Sequence, residues 1–316
     1  MKIAVVGAGL SGLSVAYLLS QTVSIDIEII LWEEKEGGGG ASRTGAGMLH
    51  PFAGARSRLN WRGFEGFDAT LSYLKKYPEV ILQKGILRPP QSVVQRVDFL
   101  ACAEQFPQEA IFTEAGLWLP HGIVVDLPLY LHHLWKSVLE SGVVFEQKKI
   151  NNREELKDFE VAVFAVGGDF SSFSSLLPDD IQLKAVKGQL LELLWPKEKK
   201  PLETVVNGSV YLIPAGDRLL LGATYEKEWI DSDPQSTIAT DWLFPKAEAF
   251  VPDIRHMPIL GCRAGLRGVT RNHRPFVVRA KHPRETWLIG GMGSKGLLYH
   301  RLLAQDLVQK MRFPIT

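Results

Sequence analysis

Cysteine is nearly missing from these 316 residues, which hold only Cys102 and Cys262. Two thiols so far apart exclude a disulfide scaffold and any C-x-x-C metal spacing, and both read as buried structural groups. An excess of charge of either sign is missing too: 36 Lys and Arg face 35 Asp and Glu, for a formal net charge of +1. Such a chain has no global field to gather nucleic acid or an anionic membrane, and only a local basic patch would do so. No apolar run approaches the roughly eighteen residues that cross a bilayer. The chain enters a strand at once, without the charged, apolar and cleavable segments of a secretory leader, so a soluble cytoplasmic protein is expected. Histidine offers no metal site, because the adjacent His132 and His133 face different sides of a helix.

What is present is length for a large core and about two domains, and an N-terminal stretch around which the rest is arranged. Lys2 to Val6 form an apolar run ending on Gly7, Ala8, Gly9, Leu10, Ser11 and Gly12, after which Leu10, Leu13 and Tyr17 recur at helical spacing. That is strand, glycine turn and helix. A second β-branched run, Ile25 to Trp32, ends on Glu33, about twenty residues past the last glycine, as a dinucleotide fingerprint requires. Gly7 permits the tight turn, Gly9 lets backbone approach a pyrophosphate, and Gly12 lets the helix pack closely on the strand. The pyrophosphate would sit on free N–H groups at the helix N-terminus, and Glu33 would accept the ribose hydroxyls. Glu34 competes for that role or is a solvated loop charge.

A glycine-dense loop follows, from Gly37 through Gly40, Ala41, Ser42, Arg43 and Thr44 to Gly47, Met48, Leu49, His50 and Pro51. It is too long for a simple strand-helix connection. Its small residues let backbone run close to a flat ligand, and Ser42, Arg43 and Thr44 offer phosphate donors. Residues Leu59 to Tyr77 predict an amphipathic helix, and the prolines from Pro78 to Pro120 predict short pieces. A helix is expected over Pro128 to Ser141, ended by Gly142, then a strand over Val143 to Glu146. An apolar strand, Val161 to Gly168, carries Ala165, Val166 and Gly167. Val210 and Leu212 alternating with Tyr211 and Ile213 predict a half-buried strand, and Thr237 to Phe250 a covering helix.

The stretch Gly38 to Pro51 resembles the segment that covers the FAD phosphates and flavin in the FAD-dependent oxidoreductases related to D-amino acid oxidase, among them glycine oxidase, sarcosine oxidase and D-amino acid dehydrogenase. The resemblance continues in VAVFAVGG, LKAVKGQLLEL, SVYLIPAGDRLLLGATYE, CRAGLRGVTRNHRPFVV and TWLIGGMGSKGLLYHRLLAQDLV, in family order. It implies an α/β fold: a Rossmann-like FAD-binding domain with a second, α+β substrate domain built on a mixed or antiparallel sheet. The FAD-binding domain would be discontinuous, over 1–80, 128–180 and 258–316, with 81–127 and 181–257 forming the substrate domain. Ile150 falls where the family uses backbone contacts to adenine, ordinary core being the alternative, and Gly167 and Gly168 would face FAD.

The resemblance also implies the chemistry, hydride transfer from the carbon beside an amine to flavin N5, giving an imine that water hydrolyses. Arg267 lies where the family grips the substrate carboxylate, a job suited to the guanidinium fork, and Tyr211 matches the assisting tyrosine. Gly291, Gly293, Ser294, Lys295, Gly296 and Leu297 open the last helix, where N–H groups and the Lys295 cation would stabilise negative charge growing on the flavin. The alternative for Lys295 is an exposed helix-start lysine. Met48 and His50 would line the flavin face. GGMGSKG lacks the cysteine that tethers flavin in sarcosine-oxidase-like members, so FAD is expected to be noncovalent.

A small amine or amino acid, of glycine, sarcosine or D-amino acid type, is the favoured substrate, with oxygen or a quinone as electron acceptor. The alternative is removal of the carboxymethyl group from carboxymethylaminomethyl-uridine in tRNA, whose bacterial oxidase carries similar patterns to GMGSKGL and RGVTRNHRP. Near-neutral charge counts against tRNA. An NAD-dependent dehydrogenase would share the first fifty residues without needing the loop or the closing glycine turn, and a non-catalytic flavin-binding protein would share the whole pattern.

Overall fold

The computed structural model describes residues 1–22, 27–150, 153–200, 202–280 and 284–311. Its first half contains β1 (Lys2–Val6), α1 (Leu10–Thr22), β2 (Glu28–Glu33), α2 (Ala41–Thr44), β3 (Met48–Leu49), α3 (Gly63–Leu74), β4 (Ile81–Arg88), α4 (Val93–Gln105), β5 (Ile111–Thr113), β6 (Gly116–Val125), α5 (Leu127–Glu140) and β7 (Val144–Gln147). The second half adds β8 (Val161–Phe164), β9 (Leu183–Leu194), β10 (Val205–Asn207), β11 (Tyr211–Ala215), β12 (Arg218–Gly222), α6 (Ser236–Ala247), β13 (Ile259–Thr270), β14 (Phe276–Arg279), β15 (Glu285–Gly290) and α7 (Gly296–Lys310). Among the described residues no helix is long and apolar enough to cross a membrane.

The strands form two sheets. The first runs β14-β15-β8-β1-β2-β7, parallel except for β14. A central parallel strand has both faces covered, which is why β1 is an unbroken apolar run. Ile3 and Val5 join the core under α1, α5 and α7, while Ala4 and Val6 join a second core with Trp32, Phe164 and Phe173. The second sheet runs β13-β9-β12-β11-β10-β4-β6-β3, with β5 on β6. Its two faces are also covered: Leu212 and Leu221 pack under α6, and Ile213 and Ile86 pack with Phe52 and Phe99.

Several elements differ from the sequence expectation. Ile213 is as buried as Leu212, so this strand is not half-buried. The helix expected from Leu59 begins only at Gly63. Asn60 folds back to donate to the carbonyls of Pro51 and Ala53, and Arg62 is left-handed at φ 49°. Between Pro78 and Pro120 the chain makes two long strands and the thirteen-residue α4 rather than short pieces. Strands β13 and β3, expected with the FAD-binding segments, pair in the second sheet. Of the expected strand Ile25 to Trp32, Ile25 and Asp26 lie outside the described residues.

Candidate active site

At the end of β1 the fingerprint closes on itself. A Cβ on Gly12 would lie 1.8 Å from the Gly7 carbonyl oxygen, so only glycine lets α1 sit this close to the turn. Gly7 itself has φ +97°, open to glycine alone. The Ser42 hydroxyl accepts from the Leu10 N–H at 3.1 Å, which holds the glycine loop against the start of α1. The remaining first-turn N–H groups have no helical partner and suit a phosphate. Glu33 accepts from the N–H groups of Ala8 and Glu34, both at 2.8 Å, which fixes its carboxylate at the strand end with lone pairs left for ribose hydroxyls.

From there a cavity of about 690 Å³ runs between the two sheets. It gathers Leu10, Ser11, Ala41, Ser42, Gly47, Met48, Gly167, Gly291, Gly293, Ser294, Gly296 and Leu297 with Tyr211 and Arg267, joining most of the expected cofactor residues to the expected substrate residues. Others fall outside it. Leu49, Ile150 and Ala165 are buried core. Val166 packs beside that core. Gly40 and Arg43 are exposed, and Glu34 pairs with Lys149 on the surface at 3.4 Å. The Lys295 ammonium does not reach the cavity wall, because it donates to Asn60 Oδ1 at 3.3 Å and to the His273 carbonyl at 3.0 Å. Burial lowers its pKa.

The second sheet supplies the cavity floor. Asn207 pairs with Tyr211 and Tyr211 with Gly222, so their Cβ directions share one face. A Cβ on Gly222 would lie 2.4 Å from the Tyr211 hydroxyl, and one on Gly188 would lie 1.5 Å from an Arg267 guanidinium nitrogen. Both side chains therefore lean over glycines of adjacent strands, β12 and β9, about 4.8 Å apart. Arg267 donates to the Thr224 carbonyl at 2.9 Å and lies 5.9 Å from the Tyr225 ring. No carboxylate pairs with it among the described residues. Burial lowers its pKa, and burial also raises that of Tyr211.

The sequence reading missed the support behind this pair. Gln189 N–H donates to the Thr224 hydroxyl at 2.8 Å and its carboxamide to Glu226 at 3.0 Å, while Thr224 N–H returns a bond to the Gln189 carbonyl at 3.0 Å. This buried lattice fixes the carbonyl that aims Arg267. Arg88 was also missed: it is buried, donates to the carbonyls of Phe52 and Gly54, both at 2.7 Å, and to the Ser57 hydroxyl. His50 is driven down to about 3 by burial and by Arg88, so it is neutral. A lone arginine in a strand carries no sequence signal of this kind.

Among the described residues no Asp, Glu, Lys or Cys lines the cavity, and the cations that do are Arg88 and Arg267. Its lining thus suits an anion beside Arg267. Glycine-lined backbone beside free helix N–H groups fits an extended dinucleotide, and the face formed by Met48 and the Gly291 to Leu297 turn fits a flat ring.

These features define an FAD-dependent oxidoreductase. The sequence pattern of the FAD dependent oxidoreductase family, DAO, matches residues 2–310, and the chain belongs to that family. The bifunctional protein of tRNA 5-methylaminomethyl-2-thiouridine biosynthesis, MnmC, from Campylobacter jejuni is 25% identical over 298 residues, covering 88% of this chain and 46% of that protein. The chain thus spans about half the length of the curated relatives it matches. Glycine oxidase from Geobacillus kaustophilus superposes with a TM-score of 0.79 at 20% identity over 99% of this chain and 96% of that one. Iminodiacetate oxidase from a Chelativorans species gives 0.77 at 17%, over 99% and 96%. L-α-glycerophosphate oxidase from Mycoplasma pneumoniae, a structure with FAD bound, gives 0.77 at 16%, over 100% and 95%. At these identities the solved structures establish the fold.

Proposed function

We propose that the chain oxidises the C–N bond of a small amine or amino acid bearing a carboxylate, releasing an imine that hydrolyses, with oxygen or a quinone as final electron acceptor. The carrying observation is Arg267, a guanidinium held over Gly188 with no ion-pair partner among the described residues, in a cavity that none of their carboxylates lines. A substrate carboxylate completes that charge, and the Tyr211 hydroxyl adds a second donor about one strand away. Bound FAD supplies the hydride acceptor. Arg267 and Tyr211 hold the substrate in one orientation, which removes much of the entropic cost of reaction.

The proton inventory shapes the mechanism. His50, pushed to about 3, accepts no proton near neutrality, and among the described residues no carboxylate, lysine or thiol lines the cavity. The substrate ammonium therefore gives its proton to water before hydride leaves, and the pH dependence of reduction follows the substrate amine rather than a protein group. FAD is noncovalent on this proposal, since neither Cys102 nor Cys262 reaches the cavity.

A second reading, demodification of carboxymethylaminomethyl-uridine in tRNA, is favoured by the relatives named above and by the exposed cations Arg58, Arg271 and Arg274, which have no ion-pair partner among the described residues. Anaerobic titration of the purified flavoprotein with glycine, sarcosine, D-amino acids and modified tRNA decides between them by flavin absorbance. The small-amine proposal expects bleaching by a free amine, and Arg267→Ala to raise KM at unchanged FAD content. Glyoxylate released from modified tRNA, with no bleaching by free amines, would replace it with the second reading. Equal kinetics in Arg267→Ala would remove Arg267 from the site.

A further inference from the structure

Tyr211 divides the cavity floor. On one side lie Gly222, Gly188 and Arg267; on the other lies Asn207, directly opposite Tyr211 across the strand pair. Val206 turns its side chain into the core beneath α6, so Asn207 points to the cavity face, where it lines the wall. Its carboxamide makes no hydrogen bond to any described residue. Nearby carboxamides are already spent on backbone: Gln91 donates to the Pro89 carbonyl at 3.0 Å and Gln95 to the Ala55 carbonyl at 3.1 Å. Asn207 is therefore a half-buried donor and acceptor left open to whatever fills the cavity.

Its distance from the carboxylate anchor sets the size of that ligand. The guanidinium lies over β9 and Asn207 sits on β10, with β12 and β11 between them. Three strand spacings amount to about 14 Å of sheet. Even with both side chains reaching inward, glycine or sarcosine held at Arg267 is too short to touch Asn207. A secondary amine whose N-substituent runs past Tyr211 does reach it. An unpaired carboxamide is matched by a group offering both an acceptor and an N–H, that is, a lactam, urea or carboxamide edge.

We propose that Asn207 is a specificity-determining residue that reads the amide-type edge of an extended N-substituent, so that the substrate is an N-substituted glycine with a polar, planar distal group. The inference rests on the amine-oxidising reading above and adds the part of the substrate remote from the carboxylate. A site built to hydrogen-bond such a group rejects an apolar isostere strongly, because the carboxamide is then desolvated without a partner.

The test measures anaerobic flavin reduction by sarcosine, N-benzylglycine, free carboxymethylaminomethyl-uridine and tRNA carrying that residue, in wild type, Asn207→Ala and Asn207→Asp. Wild type is expected to prefer the uridine compounds to N-benzylglycine by at least roughly tenfold in kcat/KM. Asn207→Ala should erase that preference, and Asn207→Asp, which keeps size but loses the donor, should reduce it. The loss should fall on KM for the uridine compounds, with kcat, FAD content and melting temperature near wild type in both variants, a split that a merely structural role for Asn207 would not give. Reaction of the tRNA alone, lost in Asn207→Ala, would support the same chemistry with RNA as its source. Survival of the preference in Asn207→Ala, or an equal loss with sarcosine, would overturn the role of Asn207 while leaving amine oxidation intact. A wild-type flavin that none of the compounds reduces would instead sink the amine-oxidising reading, and this one with it.

Discussion

Gly188→Ala is the sharpest perturbation of the site, because it adds one methyl group whose three nearest neighbours all belong to the anchor. The new Cβ would stand 1.5 Å from a guanidinium nitrogen, 2.4 Å from Cζ and 2.7 Å from Nε of Arg267. Ordinary contact needs about 3.5 Å, so the guanidinium must move by about 2 Å. That breaks its 2.9 Å bond to the Thr224 carbonyl and withdraws the fork from the carboxylate position. Losing a desolvated, hydrogen-bonded charge partner costs about 2–4 kcal/mol, or roughly 30- to 1000-fold in kcat/KM. The obstacle is the end of a flexible side chain rather than backbone, so melting temperature and FAD content should stay near wild type. Anaerobic flavin reduction gives the kinetic readout. Acetate binding, followed by perturbation of the flavin spectrum, gives a second that needs no turnover. Wild-type acetate affinity together with wild-type reduction in Gly188→Ala would refute the placement of the anchor.

Three further outcomes are expected. In Gly12→Ala the new Cβ meets the Gly7 carbonyl at 1.8 Å, and backbone cannot step aside, so the purified protein should lack flavin and melt earlier; a yellow, stable variant would contradict the tight turn. His50 and His300 are both held at about 3 by burial, below the unfolded value of about 6.5, so the unfolded chain binds protons first and stability drains as pH falls from about 6.5 towards 3. The ceiling is on the order of 4 kcal/mol per histidine. His300→Gln can keep the roles of accepting from Tyr130 and donating to Leu297, and should flatten that slope in denaturant titrations; identical slopes would refute it. Lys295→Met should cost about 1–2 kcal/mol of stability through the lost bonds to Asn60 and His273. Flavin reduction in that variant should stay within about tenfold, and a thousandfold loss would show that the ammonium swings into the cavity.

Much of the nucleotide half was legible in the sequence, because its constraints are local. Gly7, Gly9 and Gly12 sit within one turn, and Glu33 ends the next strand, so spacing alone places them. Arg267 and Tyr211 were legible only through resemblance, since no local pattern distinguishes them from a surface cation and a packed aromatic. Proline misleads as a breaker between Pro78 and Pro120, because Pro120 sits inside β6 and α4 starts beyond Pro90 behind the Ser92 cap. Asn207 was invisible because Asn-Gly reads as a turn.

Periodicity and glycine spacing in the chain itself determined a strand, turn and helix built for a dinucleotide, together with apolar strands to carry the second half, because backbone geometry over a few residues responds to near neighbours. Tertiary structure alone decided that Gly222 and Gly188 would make room for Tyr211 and Arg267 to lean together, that Lys295 would be spent on Asn60, and that Asn207 would stay unpaired at the far end of the floor. Those outcomes depend on which strands become neighbours, and strand order joins residues too far apart in the chain for any local pattern to record.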